Sequence, residues 1–375
     1  MKKILFLPLF QMPSGHHQVA DALIDSIQKS NESITCKKID FLSYWNQPLE
    51  KTIASFYLKW ISSLPKTYNW VYRRFMYEPK KNNIRAIDYV QLLGFETKML
   101  ELIQKERPDV IACTHSFPSA LISRLKRNHS ISVPVVNIYT DFFVNGIWGQ
   151  SEIDLHLVND QTMKKELINR GVQGDRIAIT GIPTNDQILS DTVAQKSARK
   201  HILVAGGSSG VGSILEYLKG VRKVSNYSYT VLCGNNQKLF KEVSSWKVDH
   251  IQPKAYIDCR SEMNELYERA DAILTKPGGI TVSEALKKRM FIFVHSALPG
   301  QEQLNLKELI TRQIITPVLD DRFEDQIASV LENSWKQKQI RHRIDEFLSS
   351  KESCPINEII NLLYENNKML STQPS

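Results

Sequence analysis

The chain has 375 residues, 42% of them hydrophobic and 23% charged, with a formal net charge of +8 and a pI near 9.0. That length is too great for one core and predicts two domains, while the composition excludes a disordered chain. The basic balance calls for anionic partners (nucleotide, nucleic acid or an acidic membrane), and five scattered cysteines without a CxxC pair exclude a disulfide framework and a zinc site.

The start, MKKILFLPLFQMPSG, imitates a signal peptide, but Pro8 interrupts its short apolar run and no small-residue cleavage site follows. A first buried strand is expected instead. HHQVADALIDSIQKS then sets Val19, Leu23 and Ile27 along one helix face. His16 falls at the start of that helix, where a cation is disfavoured, so a neutral, base-competent imidazole is expected; His17 beside it is the alternative. ITCKKIDFL reads as the second strand. Residues 51–81 carry seven Lys/Arg against one acidic residue, interleaved with Phe56, Tyr57, Trp60, Trp70, Tyr72, Phe75 and Tyr77. Two amphipathic helices are expected there, with some rings packed on the first domain. The others, Trp60, Trp70 and Phe75 with Arg73 and Arg74, face an anionic membrane or an acceptor. The mixture also fits single-stranded nucleic acid, but no nucleic-acid-binding motif accompanies it and no such partner is expected.

DVIACTHSF, VPVVNIYTDF, LHLVND and RIAITGIP continue as strands, with Asp141 of YTDF at a strand end, placed to orient the base, share its proton or cap the next segment. Strands alternating with helices imply parallel βαβ units in an open α/β sheet. The polar run after Pro183 reads as a linker, and a second alternating series begins at HILVAGGSSGVGSILEYL. Its turn at 206–210 offers Gly207 and Ser208 as a phosphate cradle, although it is neither GxGxxG nor a Walker sequence. YTVLCGNN, HIQPKAYI, ADAILTKPGG and MFIFVHSA follow as strands. In ILTKPGGITVSEAL, glycines after an apolar strand are expected to reach positive φ and let a ligand approach. The helix behind them turns unpaired N–H groups toward a phosphate. Pro277, Gly278, Gly279 and Thr281 form that turn, and Glu284 is placed to accept from a sugar diol. Gln301, Glu302 and Asn305 in LPGQEQLN are candidates to read sugar hydroxyls. His115 and His156 lack paired ligands at metal-site spacing, and no GxSxG elbow occurs. No apolar run reaches eighteen residues, so a cytoplasmic chain lying on a membrane without crossing it is expected. The C-terminal NKMLSTQPS is expected to fray.

Taken in order, SGHHQVADAL, IYTDFFVNGIW, ITGIP, VAGGSSG, LTKPGGITVSEA and PGQEQLN resemble the bacterial diacylglycerol glucosyltransferases and the plant monogalactosyldiacylglycerol synthases, a group similar to the glycosyltransferase that makes lipid II. The resemblance runs from about Ile4 to Leu370, and KPGGITVSEA followed by PGQE is its most specific part. It implies a GT-B fold, two Rossmann-like domains with a cleft between them: 1–185 for acceptor and membrane, a linker at 186–200, 201–350 for the UDP-sugar, and 351–375 as a helix and tail returning toward the first domain. It implies inverting, metal-independent transfer from UDP-glucose or UDP-galactose, a substrate and not a cofactor, to diacylglycerol at the inner face of the cell membrane. By the same resemblance Glu284 meets the uridine ribose, and Gly207, Ser208, Gly278 and Gly279 meet the diphosphate. Gln301 and Glu302 lie near the donor sugar, Tyr256 and Ile257 by the uracil, and His16 at the acceptor. LFQMPSGHH and YIDCRSEMNEL depart from the family pattern, which bears on the acceptor and the donor sugar. The alternatives are a UDP-sugar epimerase of similar architecture and a non-catalytic nucleotide-sugar or lipid-binding homologue.

Overall fold

The computed structural model describes residues 1–11, 14–77, 94–188, 199–206, 214–319 and 322–370. They fall into two compact units: Met1–Asn185 with Pro299–Gln301 and Ser350–Ser375, and Asp186–Leu298 with Glu302–Ser349. In chain order the first contains β1 (Lys2–Leu7), α1 (Gly15–Ser30), β2 (Ile34–Lys38), α2 (Phe41–Ser63), α3 (Pro65–Val71) continued by a π-turn at Tyr72–Tyr77, α4 (Phe95–Glu106), β3 (Val110–Cys113), α5 (Ser116–Arg127), β4 (Val135–Ile138), β5 (Leu155–Val158), α6 (Gln161–Asn169) and β6 (Ile177–Ile179). The second contains β7 (His201–Ala205), α7 (Ile214–Val221), β8 (Ser228–Leu232), α8 (Gln237–Ser245), β9 (Ile251–Lys254), α9 (Arg260–Arg269), β10 (Ala272–Thr275), α10 (Gly279–Lys287), β11 (Phe291–Val294), α11 (Gln301–Thr311), β12 (Thr316–Pro317), α12 (Phe323–Leu331) and α13 (Ser334–Ser349). The last helix, α14 (Pro355–Leu370), belongs to the first unit and packs on α1.

Each unit is an α/β sandwich around six parallel strands. The first sheet runs β2-β1-β3-β4-β5-β6 and the second β12-β11-β10-β7-β8-β9. Strands covered on both faces must be apolar throughout. Accordingly Ile4, Leu5, Phe6 and Leu7 of β1, and every residue of β3, β4, β10 and β11, are buried. Helix α1 buries Val19, Leu23 and Ile27, the stripe its periodicity predicts. All eleven strands anticipated from the sequence form. β12 was not anticipated, because it is two residues long and half proline.

Strand order reverses between β1 and β3 in the first sheet and between β7 and β10 in the second. Crossovers leave such neighbouring strands in opposite directions, so a crevice opens beyond their C-terminal ends; that is where open α/β sheets take ligands. The residues following those four strands are therefore the ones to inspect. Those after β1 include His16, those after β3 Thr114 and His115, and those after β10 Lys276–Gly279. After β7 come Gly207 and Ser208, which lie outside the described residues, as does most of the expected linker (189–198). So do 78–93 and the last part of the expected frayed end, 371–375.

Candidate active site

In the first unit α1 opens directly behind β1, with Ser14 as its N-cap. Half-buried His16 lies in the first turn, where Nδ1 is 2.7 Å from the Thr114 carbonyl oxygen and 2.9 Å from Thr140 Oγ1. A carbonyl oxygen only accepts, so Nδ1 carries the proton and the neutral ring keeps its lone pair on Nε2. Burial pushes the His16 pKa down to about 4; the neighbouring His17 adds to the effect and the Thr114 carbonyl opposes it. The neutral form expected from the helix end is thus secured chiefly by burial.

His17 differs in kind. It is buried, with Nδ1 3.1 Å from Ser14 Oγ and Nε2 2.6 Å from Asp40 Oδ1, so both ring nitrogens are engaged. His115 caps α5 by accepting from Phe117 N at 3.1 Å, and its ring meets that of His16 edge-on, centroids 4.7 Å apart. Burial and the adjacent His16 hold it well below the usual histidine range. Asp141 follows Thr140 and accepts at Oδ2 from Gln301 Nε2 at 2.6 Å, while its backbone carbonyl accepts from the Asn159 amide.

The aromatic-basic stretch divides as its composition implies. Tyr68 and Tyr72 are buried, and Trp60 is half-buried with Nε1 donating to Thr67 Oγ1 at 3.0 Å. Phe56, Leu64 and Trp70 turn outward with exposures of 64%, 58% and 64%, and Arg73 is exposed beside half-buried Arg74. The Phe75 side chain, with Lys80 and Lys81, lies outside the described residues. Among the described residues no helix is long and apolar enough to cross a membrane.

In the second unit β10 runs into Lys276-Pro277-Gly278, a tight turn closed by Gly278 N donating to Lys276 O at 2.8 Å. Gly278 sits at φ −79°, ψ 139°, and Gly279 is already helical, so neither glycine uses positive φ. Among the described residues a Cβ at Gly278 would meet nothing within 4 Å, so that side of the turn is open. Positive φ falls instead at Gly300, in the Pro-Gly turn before α11 (φ +86°). Helix α10 has no side-chain cap and no acidic residue in its first turn, and its first backbone bond is Val282 N to Gly278 O; the N–H groups of Gly279, Ile280 and Thr281 lie ahead of it.

Glu284, one turn further, is buried and accepts from Tyr267 Oη at 2.8 Å. Burial raises its pKa and the Tyr267 hydroxyl opposes the rise. Tyr256 is half exposed and Ile257 half-buried in the segment after β9. In α11 the Glu302 carboxylate turns back on its own helix start and accepts from Leu298 N at 2.6 Å, while Asn305 is buried. Lys276, Thr114, Thr140 and Tyr267 were not singled out in the sequence, and His115 was weighed there only as a metal ligand. Of these only Lys276 carried a local signal, a charge at the end of a buried strand directly before Pro-Gly-Gly.

A family description, monogalactosyldiacylglycerol (MGDG) synthase, matches residues 16–184. The chain is 37% identical over 365 residues to an uncharacterized glycosyltransferase, YkoN, of Bacillus subtilis, covering 96% of each. It is 31% identical to a processive diacylglycerol β-glucosyltransferase of Bacillus mycoides, covering 76% of this chain and 79% of the relative. Among solved structures, MnaA of S. aureus with UDP superposes with a TM-score of 0.59 at 16% identity, covering 100% and 99% of the two chains. MurG of Acinetobacter baumannii gives 0.58 at 11%, covering 97% and 100%. At those identities the likeness is one of fold, the two-domain α/β architecture of the GT-B class.

Proposed function

The chain belongs to the glycosyltransferase family that holds the MGDG synthases and the diacylglycerol β-glucosyltransferases, and on that premise we propose that it transfers a hexose, glucose or galactose, from a UDP-sugar to diacylglycerol. The transfer inverts the anomeric carbon and needs no metal ion. The acceptor hydroxyl attacks the anomeric carbon as the bond to the diphosphate oxygen breaks, the electron pair leaves with UDP, and the hydroxyl proton passes to His16 Nε2. Asp141 supports the acceptor side. The open turn at Pro277–Gly279, Thr281 and the α10 N-terminus, with Gly207 and Ser208, receive the diphosphate. Glu284 takes the ribose, Tyr256 and Ile257 flank the uracil, and Gln301, Glu302 and Asn305 read the sugar.

The observation that carries this reading is the fixed tautomer of His16. A histidine held at Nδ1 by a carbonyl and kept neutral by burial is a base at Nε2 and nothing else. The test is transfer itself, from radiolabelled UDP-glucose or UDP-galactose to anionic diacylglycerol liposomes. Label in lipid from one donor is the expected result and names the sugar. No lipid label from either donor, with UDP still bound, overturns the acceptor and favours an epimerase or a binding protein.

An insoluble acceptor requires contact with the bilayer, which we assign to the exposed Phe56, Leu64, Trp70 and Arg73, with Trp60, Arg74 and Phe75 beside them, on the cytoplasmic face. Basic residues near an anionic surface contribute about 1 kcal/mol each. Replacing Phe56 and Trp70 by serine and Arg73 by glutamine should therefore weaken sedimentation with anionic vesicles about tenfold or more; unchanged binding would move the contact elsewhere.

A further inference from the structure

Lys276 directly follows β10, at the strand-order reversal of the second sheet, three residues ahead of α10. Its side chain is only 9% exposed. An ammonium has three donors, yet among the described residues Nζ has no hydrogen-bond acceptor. The facing carboxylate, Glu302, keeps Oε1 3.9 Å away, too far for a hydrogen bond, and commits Oε2 to Leu298 N at 2.6 Å. Beside the lysine stands the N-terminus of α10, with no acidic residue in its first turn and, among the described residues, no side-chain cap and nothing within 4 Å of a Cβ at Gly278. A buried cation paired this poorly is costly, and a helix N-terminus adds positive potential to the same place.

We propose that Lys276 is a substrate-binding residue whose ammonium contacts the diphosphate of a nucleoside diphosphate seated at the α10 N-terminus, an inference that rests on the nucleotide-sugar function proposed above. Lys276 supplies there the positive charge that other sites take from a divalent cation, and Glu302 holds the ammonium in place between turnovers without neutralising it. Burial lowers the Lys276 pKa and Glu302 opposes the shift, as expected of an ammonium that gains its full stabilisation only when an anion arrives.

The test is direct binding to the full chain, comparing UDP with uridine by titration calorimetry, so that no acceptor has to be known. Lys276→Met keeps the buried stem and removes the charge. It should weaken UDP binding about tenfold or more while leaving uridine within about twofold of wild type, because only the phosphates meet the lysine. Glu302→Gln retains an acceptor for Leu298 N and removes the competing carboxylate, so UDP should bind several-fold more tightly and uridine as before. Either K276M binding UDP as well as wild type does, or E302Q binding it less tightly, overturns the proposal; so does equal loss of UDP and uridine in K276M. If wild type binds neither compound, the nucleotide-sugar reading itself has failed and this one falls with it.

Discussion

The turns at the two strand-order reversals are built to opposite rules. Around His16 the ring is held from several sides: Nδ1 lies between a carbonyl and a threonine hydroxyl, the next histidine is held at both nitrogens, and a third histidine closes the edge of the ring. Around Lys276 the groups are left wanting among the described residues, with no side-chain cap on the helix, open space before a glycine and an ammonium short of acceptors. A base must keep one lone pair in one place, which takes a crowded, finished environment. An anion site must gain more from the ligand than from itself, which takes an unfinished one. The contrast teaches that burial acts differently on the two: it secures the neutral form of His16 and leaves Lys276 awaiting a partner.

The strongest way to break the comparison is His16→Ala. Loss of a positioned general base costs about 10²–10⁴ in kcat, and UDP affinity should not move if the nucleotide sits, as proposed, at the other turn. Equal losses in both would mean that the turns do not divide the work. The pH profile of the wild type sharpens the same point. With the His16 pKa pushed down to about 4, kcat/KM should stay flat through neutrality and fall only toward pH 4, as the base protonates. A decline centred on the ordinary value of 6.5 would show an unburied imidazole.

These predictions rest on features of unequal legibility. Parallel strands buried on both faces betray themselves as apolar runs bounded by glycine and polar turns, so eleven strands and the two-fold repetition of the α/β pattern could be read directly. Thr316–Pro317 could not, since two residues hold no periodicity. His16 and Glu284 stood out by chemical type behind recognisable turns. The partners of His16 did not, because Thr114 and Thr140 lie 98 and 124 residues along the chain and meet it only when β1, β3 and β4 share a sheet. Pro277-Gly278-Gly279 was legible as a turn, but the positive φ expected of its glycines is not used: Gly278 is extended and Gly279 is already helical. Lys276 was in plain view; its burial was not.

A milder substitution asks how finished the histidine site must be. Thr140 is buried with Oγ1 2.9 Å from His16 Nδ1, and Thr140→Val keeps the shape while removing the oxygen. The Thr114 carbonyl remains, so the tautomer persists and only the ring's orientation loosens. A loss of about tenfold in kcat is expected, with KM for the donor unchanged and Thr140→Ser restoring most of the rate. No loss would assign the restraint to the carbonyl alone.

The smallest effect probes a group in the second unit that already has its partner. Glu284 is buried and accepts from Tyr267 Oη, and Tyr267→Phe removes that bond. Burial raises the Glu284 pKa above 4.5 and the tyrosine opposes it. A carboxylic acid raised in the fold holds its proton more tightly there than in the unfolded chain. Its contribution is therefore fully present below 4.5 and lost as pH rises through the folded value. Without the tyrosine the ionised form is less favoured still, so the variant should lose about 1–2 kcal/mol at pH 7.5, or about 2–4 °C in Tm per kcal/mol, and less at pH 5. A Tm difference that grows from pH 5 to pH 7.5 fits a hydroxyl that serves the ionised carboxylate. A difference that stays constant would mean that Tyr267 acts through packing, and Glu284 would then join Lys276 among the groups left waiting for a ligand.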